Sequence, residues 1–220
     1  MAGNTIDVRR ASRKAFEDFV FDHEVHGVGS PDVWYHQLDL EILYDPANNA
    51  RRLIEMFEGA RSLLDKYTRA QLEQGCWALF GAGFDGNLEV LIWDSELPID
   101  TKEALIHAMY IMYRDLFAAD PLGEACEMWW DGLAYAINPM KRADPDGNSD
   151  HKRIQNAMFE TLSKIVFLDA KHCQFAALHG LNHVFHPDTD DLVRGYVERN
   201  PDLSDEEVEY AAICANGKAL

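Results

Sequence analysis

The sequence predicts an all-α protein, an αα-superhelix (solenoid) of antiparallel helix pairs. Three observations carry that expectation. Apolar residues recur at helical spacing along most of the chain. The segments that hold them are opened and closed by capping residues. One apolar motif near the C-terminus recurs about one helix pair later, the mark of a stacked repeat.

Taken in order, Ile6 to Phe21 reads as a helix and "DHEVHGVGSPD" after it as a loop. "VWYHQLDLEIL", near residue 33, alternates somewhat, and "NLEVLIW", from Asn87, is apolar enough for helix or strand. Neither makes a convincing strand. "DPANNARRLIEMFEGARSLLDKY" opens with Asp45 as N-cap and Pro46 at the first helical position. "TRAQLEQGCWALFG" has Thr68 and Gln71 at capping-box spacing and stops at Gly81. Asp100 and Glu103 repeat the box spacing, and Asp120 with Pro121 repeats the Asp-Pro opening. "DHKRIQNAMFETLSKIVFL" places Ile154, Met158, Thr161, Leu162 and Ile165 on one helical face, and "DAKHCQFAALHGLNHVF" follows after almost no linker. "DTDDLVRGYVER" and "SDEEVEYAAICANG" complete the series, the last with Ser204 and Glu207 as capping box and Gly217 as terminator. The chain reads as a single domain, residues 1–220. A sub-boundary falls at 138–149, inside the loop "NPMKRADPDGNSD".

Helices joined by short connections pack antiparallel. Setting "QFAALHGLNHVF", from Gln174, over "EYAAICANGKAL", from Glu209, pairs Phe175 with Tyr210, Ala176 with Ala211, Ala177 with Ala212 and Leu178 with Ile213. "CWALFG", from Cys76, echoes the same motif. On these residues, 150–220 resembles HEAT-type helical repeats of the armadillo-like superfamily. That resemblance implies a solenoid whose inner helices line a binding surface, and it implies no chemistry.

Composition narrows the partners. Thirty-eight acidic residues against 20 basic ones give a formal charge of −18. Such a chain opposes a nucleic-acid backbone and an anionic membrane surface, and it favours a basic protein. No apolar run reaches the length of a membrane span. Arg9 and Arg10 precede no apolar stretch of the kind a secretory signal carries. The four cysteines, Cys76, Cys126, Cys173 and Cys214, are far apart and sit among apolar neighbours. They read as small buried hydrophobes of a reducing, cytoplasmic compartment.

The histidines pose the sharper question. On a wheel at roughly 100° per residue, His179, His183 and His186 fall within about 40° of His172 and share one stripe with it, opposite Ala177, Leu178, Leu181, Val184 and Phe185. The stripe therefore points away from the apolar seam, toward solvent, a polar neighbouring helix or a groove. His179 and His183, four apart, have the spacing of two ligands on one helix. Pro187 pushes His186 out of helical geometry, and a carboxylate would have to come from Asp188, Asp190 or elsewhere.

Other motifs fall to simpler readings. "GAGFDG", Gly81 to Gly86, follows a capped helix rather than a strand, so it reads as helix stop and turn. "DPDGNSD", Asp144 to Asp150, lacks EF-hand spacing and reads as an exposed turn. Trp129 and Trp130 lie about 100° apart on a helix, one for the core and the other for a surface where aromatics mark interfaces. Between Leu88 and Asp131, ten acids face only Lys102 and Arg114; most of this reads as solvated helix surface, and it is where a basic partner, if the protein has one, would bind.

The expected function is non-catalytic protein–protein interaction, as a scaffold, inhibitor or immunity-type binder, with no cofactor. Its candidate binding residues are His172, His179, His183, Trp129 and Trp130. Two alternatives stand beside it. One is a metal-assisted enzyme using the stripe, with His179, His183 and His186 as ligands. The other is a small-ligand site between helices.

Overall fold

A computed structural model describes residues 4–27, 30–36, 40–81, 84–93, 96–135 and 149–219. The protein is all-α. Ten α-helices are described: α1 (Arg13–Phe21), α2 (Pro46–Glu58), α3 (Arg69–Phe80), α4 (Leu88–Trp93), α5 (Ile99–Met112), α6 (Ala125–Tyr135), α7 (Ser149–Ile165), α8 (Lys171–Val184), α9 (Thr189–Arg199) and α10 (Asp205–Ala215). The boundary expected at 138–149 and the turn Asp144–Asp150 fall almost wholly outside the described residues.

Capping chemistry sets several of the helix starts. Asp45 accepts from the Asn48 amide at 2.8 Å with Pro46 at the first position of α2. Thr68–Gln71 and Ser204–Glu207 form complete capping boxes at the starts of α3 and α10. Gly81 closes α3 in an extended conformation, and α4 follows the turn. Ala82 and Gly83 of "GAGFDG" lie outside the described residues.

Three local expectations are corrected. Ile6 is not helical: Asn4–Asp7 (β1) pairs in parallel with Leu40–Leu43 (β2), Ile6 opposite Ile42, and α1 starts only after Ser12 caps it. A pairing partner far along the chain overrides local periodicity. Asp100 and Glu103 form no box, because α5 begins at Ile99 after Pro98. Asp100 thus lies inside the first turn, and both acids bond Arg153 of α7, at 2.7 Å for Asp100. The Asp120–Pro121 opening starts no helix either. Asp120 accepts from the Leu122 amide at 2.9 Å, and Leu122 and Gly123 take φ of 52° and 61°. Two left-handed residues in a row delay α6 to Ala125.

The core joins both ends of the chain. Helix α5 packs on α2 and α7, while α6 packs on α3 and α8, and α8 also meets α7 and α10. Trp129 and Trp130 are both fully buried, so the expected surface tryptophan is not found. Trp129 packs edge-on against Phe57 and Phe117 and tilted against Phe80, which ties α6 to α2, α5 and α3. Trp130 lies between α6 and α8: a Cβ added at Gly180 would meet Trp130 Cγ at 2.8 Å and Leu162 Cδ2 at 2.8 Å. All four cysteines are free and buried, and burial pushes the Cys214 thiol up to about 11.

Gly180→Ala should therefore overpack the α6–α8 seam and lower stability by about 1–3 kcal/mol. Urea denaturation measures it, and an unchanged midpoint would show that the helices do not approach as described.

Candidate metal centre

Helix α8 is enclosed along most of its length, with every residue from Ala176 to Val184 buried. Its apolar face and its histidine face are both covered, because α8 sits between α7 on one side and α6 and α10 on others. The wheel identified which residues share a face. It could not say that a second layer covers that face. His179 and His183 are 6% and 7% exposed, so of the settings the wheel left open, this part of the stripe faces a neighbouring helix rather than solvent.

The stripe also divides. His172 Nε2–H donates to the Phe117 carbonyl at 2.7 Å. It thereby satisfies the end of α5, whose last turn, Tyr113–Phe117, is a π-turn with the Ala118 amide bonded to Tyr113 O at 2.8 Å. Phe185 ends α8 with φ 52°, and His186 stacks on Phe159 with ring centroids 4.0 Å apart. His186 Nε2 donates to Asn156 Oδ1 at 3.1 Å, and Nδ1 accepts the Asp188 amide at 3.2 Å. Both ring nitrogens are used in the neutral form. His186 is thus a turn-fixing residue outside the cluster, which corrects its place in the expected ligand set.

His179 and His183 meet Asp131 of α6. His183 Nε2 lies 2.6 Å and His179 Nε2 3.4 Å from the same Asp131 Oδ1, and the two Nε2 atoms are 3.2 Å apart. Among the described residues, this is the one group of three such side chains placed to hold a metal ion. Asp131 supplies the carboxylate expected from Asp188 or Asp190. Its sequence neighbours gave no signal beyond membership of the acidic stretch, and it reaches the histidines only because α6 packs on α8.

The atoms fit a cation. With metal–ligand bonds of about 2.0–2.1 Å, a tetrahedral site sets its ligand atoms roughly 3.3 Å apart. Two of the three separations already match, and the short His183–Asp131 hydrogen bond would open slightly. Without an ion, each Nε2 can carry a proton and donate to Asp131 Oδ1; with one, both Nε2 atoms and Oδ1 would turn lone pairs to a common point. An N₂O set from two imidazoles and a carboxylate suits zinc or ferrous iron. Asp131 is 32% exposed at its side chain while both imidazoles are buried, so the open side lies at Asp131.

Beside the cluster, between α6, α8 and α10, runs a groove of ≈ 440 Å³ lined by Glu127, His172, Phe175 and Tyr210 among others. Elsewhere several charged groups are paired within the chain. Glu17, buried, takes Arg13 and Lys66 at 2.7 Å each. In the acidic stretch before Asp131, Asp120 pairs with Arg69 at 3.1 Å, and Asp100 and Glu103 pair with Arg153. Cations from other segments thus already serve part of that stretch.

Burial, reinforced by Lys152, depresses the His186 pKa below its ordinary value, against the opposing pull of Asp188. The unfolded chain therefore binds this proton first. The His186 contribution to stability is complete above about pH 6.5 and is lost as pH falls through the depressed folded value. His186→Gln should flatten that part of the pH–stability profile, and an NMR titration placing His186 at or above about 6.5 would contradict the assignment. Comparison with protein-family models, curated proteins and solved structures finds no match, so the side chains carry the functional argument.

Proposed function

We propose that this protein binds one divalent transition-metal ion, of the zinc class, through Asp131, His179 and His183. The observation that carries the reading is the convergence of two buried Nε2 atoms on one carboxylate oxygen. Three protein ligands with an open fourth position are the pattern of a working centre rather than a closed structural one. Bound there, the metal would act as a Lewis acid on an oxygen ligand such as water. The chain's own part is to hold both imidazoles dry and to keep the carboxylate at the open edge. This is the metal-assisted alternative of the sequence reading, with Asp131 in place of His186.

Elemental analysis and zinc titration test it. One zinc per chain is expected, with stability raised by about 2.7 kcal/mol at a free concentration 100 times the Kd. Chelator should reverse the gain. Asp131→Asn and the pair His179→Ala with His183→Ala should abolish the zinc response. Parent protein that stays metal-free at saturating zinc, or variants that bind as the parent does, would remove the centre.

The HEAT-type solenoid and its interaction-module function form a second proposal. Its support is the packing of α2, α5 and α7 in one row and of α3, α6, α8 and α10 in another, together with the ring contact of the repeat partners Phe175 and Tyr210 at 5.7 Å. In a stack, each unit depends chiefly on its neighbours. A chain ending at Pro187 should then keep its helical circular dichroism and unfold cooperatively at a lower midpoint, and loss of all cooperative structure would oppose the stack.

A further inference from the structure

We propose that Tyr210 is the positioning residue of the metal centre, the outer partner that fixes His179 as a ligand and ties α10 to the site. The proposal rests on the metal reading above. A histidine that ligates through one ring nitrogen donates its other N–H to a nearby acceptor, which sets the tautomer and holds the ring. His179 turns Nε2 toward Asp131 and His183, at 3.4 and 3.2 Å. Nδ1 is then on the far edge of the ring, and the group it meets is the Tyr210 hydroxyl at 3.4 Å.

The metal-free cluster leaves the direction of that bond open. With the proton on Nε2, Tyr210 O–H donates to Nδ1. With a cation on Nε2 the proton must sit on Nδ1, and the bond runs from Nδ1–H to the Tyr210 oxygen. A hydroxyl serves both states, since it donates and accepts. At neutral pH an ordinary phenol keeps its proton.

The placement of Tyr210 is fixed independently of the metal. The Ser204–Glu207 capping box starts α10, and Lys171 of α8 bonds Glu207 at 2.8 Å. The Tyr210 ring packs on Phe175, one turn before His179. Tyr210 also lines the groove, so the phenol is the wall between that hollow and the ligand histidine.

The test compares parent and Tyr210→Phe in zinc competition against a chromophoric chelator. The expected loss is about 10- to 100-fold in zinc affinity, with the metal-free thermal midpoint little changed. In zinc-loaded parent, ¹⁵N NMR should show a slowly exchanging His179 Nδ1–H, and Tyr210→Phe should speed its exchange. Phe175→Leu, which alters the same packing and leaves the hydroxyl in place, should keep the parent affinity. If the parent fails to bind zinc, the metal reading falls and this proposal with it. If the parent binds and Tyr210→Phe matches it within about twofold, the metal centre stands and Tyr210 has no positioning role. Should Tyr210→Phe not fold, the parent spectrum decides: a fast-exchanging or absent Nδ1–H in the zinc-loaded protein overturns the proposal.

Discussion

The close approach of α6 and α8 at Gly180 and Trp130 governs the rest of the structure. Gly180 has no side chain, and the Trp130 Cβ and Cγ occupy the space its Cβ would need, at 2.9 and 2.8 Å. His179 precedes Gly180 and Asp131 follows Trp130, so the contact that seats the tryptophan also brings carboxylate against imidazole. His183, one turn along α8, falls on the same oxygen. Trp129 anchors the opposite face of α6 against Phe57, Phe80 and Phe117. The geometry of the cluster is therefore set by apolar packing on both sides of α6. Interiors close-packed in this way hold positions to fractions of an ångström, which a ligand set requires.

Burying two imidazoles beside a carboxylate is unfavourable unless each polar atom finds a partner. Here several of the partners are shared. His179 reaches Tyr210 on one edge and the cluster on the other, and His183 meets Asp131, His179 and, at 3.5 Å, Asn182. Asn182 is itself held by the backbone of Ala219, accepting its amide at 2.9 Å. The C-terminal segment thus closes over the same region. This network, centred on one carboxylate oxygen, stands beside other buried polar groups of the core, among them Glu17, Asn49, Arg52 and Gln74.

The four histidines of one stripe perform three jobs because each meets a different neighbour. His172 faces the π-turn that ends α5, and its N–H fills a carbonyl there. His186 lies past the left-handed Phe185 and fixes the turn into α9. Only His179 and His183 face α6. The acidic stretch divides in the same manner: Asp100, Glu103 and Asp120 pair with arginines of α7 and α3, whereas Asp131 meets histidines.

Local chemistry determined a good part of this protein in advance. Helical spacing and capping residues marked α2, α3, α7, α8 and α10, since an N-cap oxygen and a first-turn amide lie within a few residues of each other. The same reasoning identified His179 and His183 as a pair with ligand spacing, and all four cysteines as buried. It failed where a distant segment decided the outcome. Ile6 became a strand because Ile42 was available to pair with it. Trp130 and the histidine face were buried because a second layer of helices lay over them. Asp131 joined the site across the intervening α7. Periodicity records which residues share a face, and a face acquires its environment only when another helix packs on it.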